Sequence, residues 1–489
     1  MPLYILRLSL DHTSFRIPSL LSISQVFNFP IRFVSQDLYR GLLVIELEKE
    51  EDVNHLLERE TLLLSVTELY AQGSTYEELH AEMSQHLDIL QPYRQKSFKF
   101  TLEGVNHRVI ESRIRDTVES FAYTALEGKI QMKNPDVEFV IYEDYQWQAA
   151  HTVQARVSRD GNFKHVYFGR RIGFGRARTL ATSHDVKNRA YYGNTSMDSH
   201  MGFLMAGQAL PAPGKLIYDP FVGTGSMLYA VAHWGAYVLG SDIDGRQIRG
   251  KMKGKEVKPG ILRAAEQYGI EDRFIDCLTY DVTRSPIRTG GWVDAIITDP
   301  PYGVRAGAKR TGRKEGGKPL REEPYLLPDG TYSHKREDYL PPSRPYELAN
   351  LTLDLVQLAR WLLVPGGRLV FFLPTVNEDY QEVDVPVVEG MKELKIGQGS
   401  IQDFGKWGRR LITMEKTALD DGPPPTFEDH DEFDIKNQPE HLPGHFGFRD
   451  RYAAGFAPRT IGDSGSASPA VETPAILVPG VTTRNEQGK

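Results

Sequence analysis

Two adjacent prolines close an apolar run in the middle of this chain. Val293-Asp294-Ala295-Ile296-Ile297-Thr298 reads as a buried strand, and Asp299-Pro300-Pro301-Tyr302-Gly303 follows it directly. Proline lacks an amide hydrogen and cannot continue a central strand, so the chain must turn there. At the carboxyl edge of an open α/β sheet, where such sheets bind ligands, the turn presents a carboxylate, backbone carbonyls and an aromatic ring.

These groups suit chemistry on a planar amino group. An exocyclic amine is a poor nucleophile because its lone pair is delocalised into the ring. Acceptors on its two hydrogens favour a pyramidal nitrogen and aim the lone pair at an electrophile. Asp299 and the Pro300 carbonyl can be those acceptors, and Tyr302 can stack on the base.

A second motif lies about eighty residues earlier. Leu216-Ile217-Tyr218-Asp219-Pro220-Phe221-Val222-Gly223-Thr224-Gly225-Ser226 reads as a short strand, an acid, a glycine turn and the start of an apolar helix over Met227 to Trp234. The glycines let the backbone approach a ligand at positive φ. A dinucleotide fingerprint needs another glycine three places after Gly225, where Leu228 stands, and no Gly-Lys-Ser/Thr follows for a phosphate loop. An acid at the first strand's end suits a cationic ligand. The next strand, Tyr237 to Ser241, ends in Asp242, placed for ribose hydroxyls. Tyr280-Asp281-Val282 can border an adenine. The series points to S-adenosylmethionine, with Phe221, Gly223, Thr224 and Gly225 in its turn. Thr195 and Ser196 are expected to cap an apolar helix over Met201 to Leu210, whose N-terminus can receive the cofactor's carboxylate.

Composition restricts the alternatives. At 489 residues the chain has room for two or three cored domains. Its one cysteine, Cys277, excludes a disulfide framework and any multi-cysteine zinc site. No signal pattern opens the sequence, and no apolar run reaches membrane-span length. A soluble, reducing, cytoplasmic setting is expected, with no membrane and no metal site. The net charge of −7 is unevenly spread. Asp420 to Glu440 holds eight acids against Lys436 alone, which equals the net charge of the whole chain. Arg156 to Arg189 carries nine bases against two acids, and Arg305 to Arg321 seven against one. Arg170, Arg171, Arg176, Arg178, Arg305, Lys309 and Arg310 are therefore the candidate RNA contacts.

The pattern divides the chain into a small α/β domain over 1–90, a second over 91–185 containing the Asn134-Pro135-Asp136 turn, a sheet domain over 186–418, and an acidic, Pro/Ser-rich tail over 419–489 expected to be disordered. Within the tail, His445 to Arg449 can dock locally.

Asn134-Pro135-Asp136, Asn194-Thr195-Ser196-Met197-Asp198, the Asp219 to Ser226 turn and Asp299 to Gly303 together resemble the tRNA guanosine-N2-methyltransferases that modify position ten. The resemblance covers most of residues 1 to 416. It implies an N-terminal ferredoxin-like domain, a THUMP domain gripping tRNA, and a class I Rossmann-like methyltransferase domain using S-adenosylmethionine. It also implies a small zinc-binding activator subunit. Two other readings stay open: an RNA-binding scaffold with an inactive methyltransferase fold, and methylation of another planar amine, adenine N6 or protein glutamine.

Overall fold

The computed structural model describes residues 1–35, 37–145, 159–250, 258–288, 290–303, 307–312, 323–336, 342–378, 380, 384–395, 399–419, 425, 427, 445 and 447–455. They form two compact units that meet at Thr179/Leu180 in the chain.

The first unit is built on one seven-stranded sheet. Its strands are β1 (Leu3–Leu8), β2 (Arg32–Phe33), β3 (Leu42–Glu46), β4 (Leu63–Gly73), β5 (Phe98–Val105), β6 (Val137–Asp144) and β7 (His165–Phe174), in the order β2-β3-β1-β4-β7-β6-β5. Only β5 and β6 run parallel; the other neighbours are antiparallel. The stretches expected as separate domains, 1–90 and 91–185, share this sheet, because β4 pairs with β7. Gly169 permits that pairing: a Cβ there would lie 1.8 Å from the Glu68 carbonyl oxygen. Successive residues of β6 are buried on opposite faces, Phe139 and Ile141 among one cluster and Val140 and Tyr142 among another. Both sides of the sheet are thus covered, which explains why its central strands read as unbroken apolar runs.

The second unit holds β8 (Leu216–Asp219), β9 (Tyr237–Asp242), β10 (Phe274–Thr279), β11 (Val293–Thr298), a small ribbon of β12 (Lys309–Thr311) and β13 (Ser343–Pro345), then β14 (Leu363–Val376), β15 (Met391–Glu393), β16 (Ser400–Asp403) and β17 (Trp407–Lys416). The main sheet runs β10-β9-β8-β11-β14-β17-β15, with β16 also pairing β17. The first five are parallel, and β17 is antiparallel to β14. The strand order turns back between β8 and β11, so a crevice opens at their carboxyl ends. The helix Leu348–Leu362 covers one face, with Leu355, Leu358 and Leu362 packed on Ile296, Phe371 and Ile412.

Some boundaries differ from expectation. The helix Leu348–Leu362 gives way at Leu363, and Pro365-Gly366-Gly367 form an irregularity inside β14, where the register with β11 shifts. The helix expected from Met201 starts at Ser199, and its N-cap is Asp198, whose carboxylate accepts from the Met201 amide (3.1 Å). Thr195 and Ser196 lie outside it. Most of the expected disordered tail falls outside the described residues, but Phe448–Ala453 is a helix. Among the described residues no helix is long and apolar enough to cross a membrane.

Candidate active site

The glycine turn and the Asp299 turn line one cleft of about 740 Å3 at the carboxyl ends of β8, β9 and β11. That volume is in the range of small-molecule sites. Gly223 and Gly225 have φ of +51° and +83°, the left-handed values the sequence calls for. A Cβ on Gly225 would also meet the Tyr229 hydroxyl at 2.9 Å, whereas one on Gly223 meets nothing closer than 3.9 Å. The turn therefore leaves room for a ligand at Gly223 and packs tightly at Gly225.

Asp219 and Asp242 end β8 and β9 here, and Asp281 stands two residues beyond β10. Asp219, 2 % exposed, accepts from the Thr298 hydroxyl (2.6 Å) and the Phe221 amide (3.0 Å). Asp242 accepts from the Gly223 amide (2.9 Å) and the Asp244 amide (2.8 Å). Burial pushes the Asp219 carboxyl up to about 7 and that of Asp242 up to about 6. Asp281 accepts from the Thr283 amide and hydroxyl (both 2.9 Å) and from the Thr311 amide. It thus anchors the segment returning from the Asp299 turn, while its neighbour Val282 lines the cleft. Thr195 and Ser196 also line the cleft, against the glycine turn; the Ser196 hydroxyl bonds that of Thr224 (2.8 Å) and accepts from the Gly193 amide (2.9 Å). A buried acid, a half-buried one and a positive-φ turn with open space fit a cationic nucleoside better than a phosphate.

Asp299 and Tyr302 form the far wall, with Pro300 between them. Sequence reasoning missed their surroundings. Arg409 on β17 donates from Nη1 to Asp299 Oδ2 (3.2 Å) and to the Tyr302 hydroxyl (3.1 Å). Its Nε donates to Gln402 Oε1 (3.0 Å), and its guanidinium lies 4.5 Å from the Phe372 ring centre. Phe404 and Trp407 stack at 4.4 Å, and Tyr452 of the terminal helix meets Trp407 edge-on. The signal available was a Trp-Gly-Arg-Arg opening a strand, which names no partner by itself. Cys277 is a packing thiol, pushed up to about 12 by burial.

The arginines expected to contact RNA divide. Arg171 is 8 % exposed; it donates to Glu103 Oε1 (2.5 Å) and the Tyr142 hydroxyl (3.2 Å) and pairs with Glu138. Arg170 is held by Glu68 (2.9 Å) and Glu50 (3.1 Å). Both lie in ion pairs within the first unit, where carboxylates take donors that a phosphate would use. Arg176 is exposed and pairs Glu58 at the surface; Arg178 and Lys309 are exposed. Arg310 lies over the Tyr346 ring. Arg305 falls outside the described residues.

A doubly wound sheet with this turn, these acids and Asp-Pro-Pro-Tyr defines a methyltransferase of the Rossmann-like class. Accordingly, a family described as "RMKL-like, methyltransferase domain" matches residues 187–315, and "Tmrp11 THUMP N-terminal domain" matches 2–177. The chain is 34% identical over 457 residues to the tRNA (guanine(10)-N(2))-methyltransferase of Saccharomyces cerevisiae, covering 93% of this chain and 99% of that protein. It is 31% identical over 472 residues to tRNA (guanine(10)-N(2))-methyltransferase TRMT11 of Homo sapiens, covering 93% and 96%. The chain belongs to the tRNA (guanine(10)-N(2))-methyltransferase family.

Proposed function

We propose that the cleft binds S-adenosylmethionine and that the chain methylates the exocyclic N2 amine of the guanosine at position ten of tRNA. The observation that carries this reading is the meeting of Asp299 and Pro300 with the Gly223–Gly225 turn in one cleft. Asp242 is positioned for the ribose hydroxyls and Val282 for the adenine edge. Asp219 and the Thr195–Ser196 segment face the methionine end, where a cation and a carboxylate both need partners.

When bound, the cofactor would supply a methyl group on a cationic sulfur, the departing neutral thioether keeping the electron pair of the broken bond. The protein's part is to make the amine nucleophilic. Asp299 and the Pro300 carbonyl accept the two N2 hydrogens, and Tyr302 supports the ring. As the new carbon–nitrogen bond forms, the nitrogen becomes cationic, and Asp299 takes the proton it sheds.

The first unit serves tRNA binding in this reading. Arg176 and Arg178 are exposed there, as are Lys129 and Lys133 beside the exposed Ile130 and Met132. A small zinc-binding activator subunit, implied by the family resemblance, is part of the proposal. Its support is β10, an end strand of the main sheet, on which Ile275 is 57 % exposed.

Transfer of labelled methyl from S-adenosylmethionine to purified tRNA, followed by nucleoside analysis, tests the function. N2-methylguanosine is the expected product. Label in N6-methyladenosine or in protein glutamine, or none at all, overturns the reading.

A further inference from the structure

We propose that Arg409 selects guanine, by donating to the base's O6 while Asp299 accepts from the adjacent nitrogens; this rests on guanosine N2 being the methylated atom. Acceptors supplied by Asp299 and Pro300 fit any planar amine, so they cannot separate guanine from adenine. The separation must come from the atoms beside the amine. Along its Watson–Crick edge guanine presents the N2 amine, then the N1 hydrogen, then the O6 acceptor. Adenine presents its N6 amine, then N1 as an acceptor, then a carbon. A protein edge reading acceptor, acceptor, donor therefore fits guanine and opposes adenine.

The cleft wall carries residues that can supply those groups. The Pro300 carbonyl and the Asp299 carboxylate are the acceptors, and the Arg409 guanidinium stands next, with Nη1 3.2 Å from Asp299 Oδ2. A guanidinium has five N–H donors. In Arg409, Nε and one Nη2 hydrogen go to Gln402 Oε1, and Nη1 serves Asp299 and Tyr302. The second Nη2 hydrogen meets the Met197 sulfur at 3.6 Å, a weak acceptor on the cleft wall. A carbonyl oxygen is the stronger acceptor, so O6 displaces the thioether without disturbing the other four bonds.

The pair is also built to discriminate. The side chains of Arg409 and Asp299 are 11 % and 22 % exposed, so a base that fails to satisfy them leaves charged groups poorly solvated. Gln402 and the Phe372 ring hold the guanidinium plane before any base arrives, so little ordering is left for binding.

The test uses tRNA transcripts carrying guanosine or 2,6-diaminopurine riboside at the target position, with the parent and the Arg409→Met variant. Diaminopurine keeps the 2-amine but presents N1 as an acceptor and an amine in place of O6. The parent should prefer guanosine in kcat/KM by about a hundredfold. Arg409→Met should lose roughly ten- to a hundredfold on guanosine and about threefold or less on diaminopurine, narrowing the preference. If the variant slows both substrates equally, Arg409 only orients Asp299 and the inference fails. If the parent uses both within about threefold, it fails whatever the variant's folding. A parent that transfers nothing to guanosine overturns the underlying methylation reading instead.

Discussion

Thr298 donates its hydroxyl to Asp219 across 2.6 Å, so the residue preceding Asp299 is bonded to the acid that opens the glycine turn. Both side chains are buried, and the bond spans β11 and β8, the strands that flank the crevice. This hydroxyl therefore adds a side-chain bond between the two halves of the cleft to the pairing of the strands themselves.

Thr298→Val keeps the shape and removes that donor. Asp219 is left with the Phe221 amide alone, a buried acceptor short of one partner. The expected cost is about 1–3 kcal/mol of stability. S-adenosylmethionine affinity should fall several-fold, by roughly 1 kcal/mol on the same argument. Thermal unfolding and calorimetry check this; an unchanged cofactor affinity means that the link between the strands does not shape the cofactor side.

Asp219 and Asp242 also set a pH dependence. Their ordinary value is 3.8, and burial raises them to about 7 and about 6. The folded protein thus holds protons that the unfolded chain has lost across this window. Stability from these groups is present below the unfolded value and is lost as pH rises through roughly 6 to 7. A bound cation reverses the preference, because it favours the ionised acids. S-adenosylmethionine affinity should therefore rise between about pH 5.5 and 7.5, with proton release on binding. Calorimetry in buffers of different ionisation enthalpy measures the release. A flat affinity with no proton release contradicts the assigned role.

Asp299→Ala should leave cofactor affinity within about twofold, since the role proposed for that carboxylate is on the accepting amine, and cut methyl transfer by roughly a hundredfold or more, the scale of losing one placed polar group. Single-turnover transfer on tRNA beside cofactor calorimetry separates the two effects. Transfer at the parent rate removes Asp299 from the mechanism.

The catalytic half of the fold was readable because parallel strands covered on both faces are written as continuous apolar runs, and β8, β11 and β14 are of that kind. The acids at their ends follow from the same runs. Pairing between distant strands left no such trace. Arg170 and Arg171 look like a basic patch until β4 and β6 bring Glu68 and Glu138 beside them. Ser196 reads as a helix cap, but its hydroxyl is bonded to Thr224, and the cap two residues on is Asp198. Arg409 reaches Asp299 across 110 residues of sequence, so neither local propensity nor charge counting could couple them.

The terminal helix gives the last prediction. Phe448–Ala453 has six residues, too few to be stable alone, so tertiary contacts must hold it. Phe448 is 1 % exposed; it packs with Leu348 and Val376 and meets the rings of Tyr302 and Trp407 edge-on. Arg449 lies against Gly303, whose φ is +97° and where an added Cβ would lie 2.9 Å from the Arg449 Cβ, which leaves no room for a side chain. The helix therefore buttresses the Asp299–Gly303 turn and supplies Tyr452 to the cleft wall. Truncating a buried phenylalanine costs about 3–5 kcal/mol when the cavity persists. One short helix has less docking energy than that, so Phe448→Ala should release it and leave the sheet folded. The expected result is roughly a tenfold loss in kcat/KM for tRNA, the size of a small displacement of positioning groups. Cofactor affinity should be unchanged, because the contacts described for Phe448 and Arg449 are with Leu348, Val376, Tyr302, Trp407 and Gly303, around the Asp299 turn rather than the glycine turn. Limited proteolysis should cut the variant near residue 448 faster than the parent. Parent-level transfer by a variant whose helix is cleaved means the helix is dispensable, and an equal loss of cofactor affinity means Phe448 supports the whole unit rather than the acceptor wall.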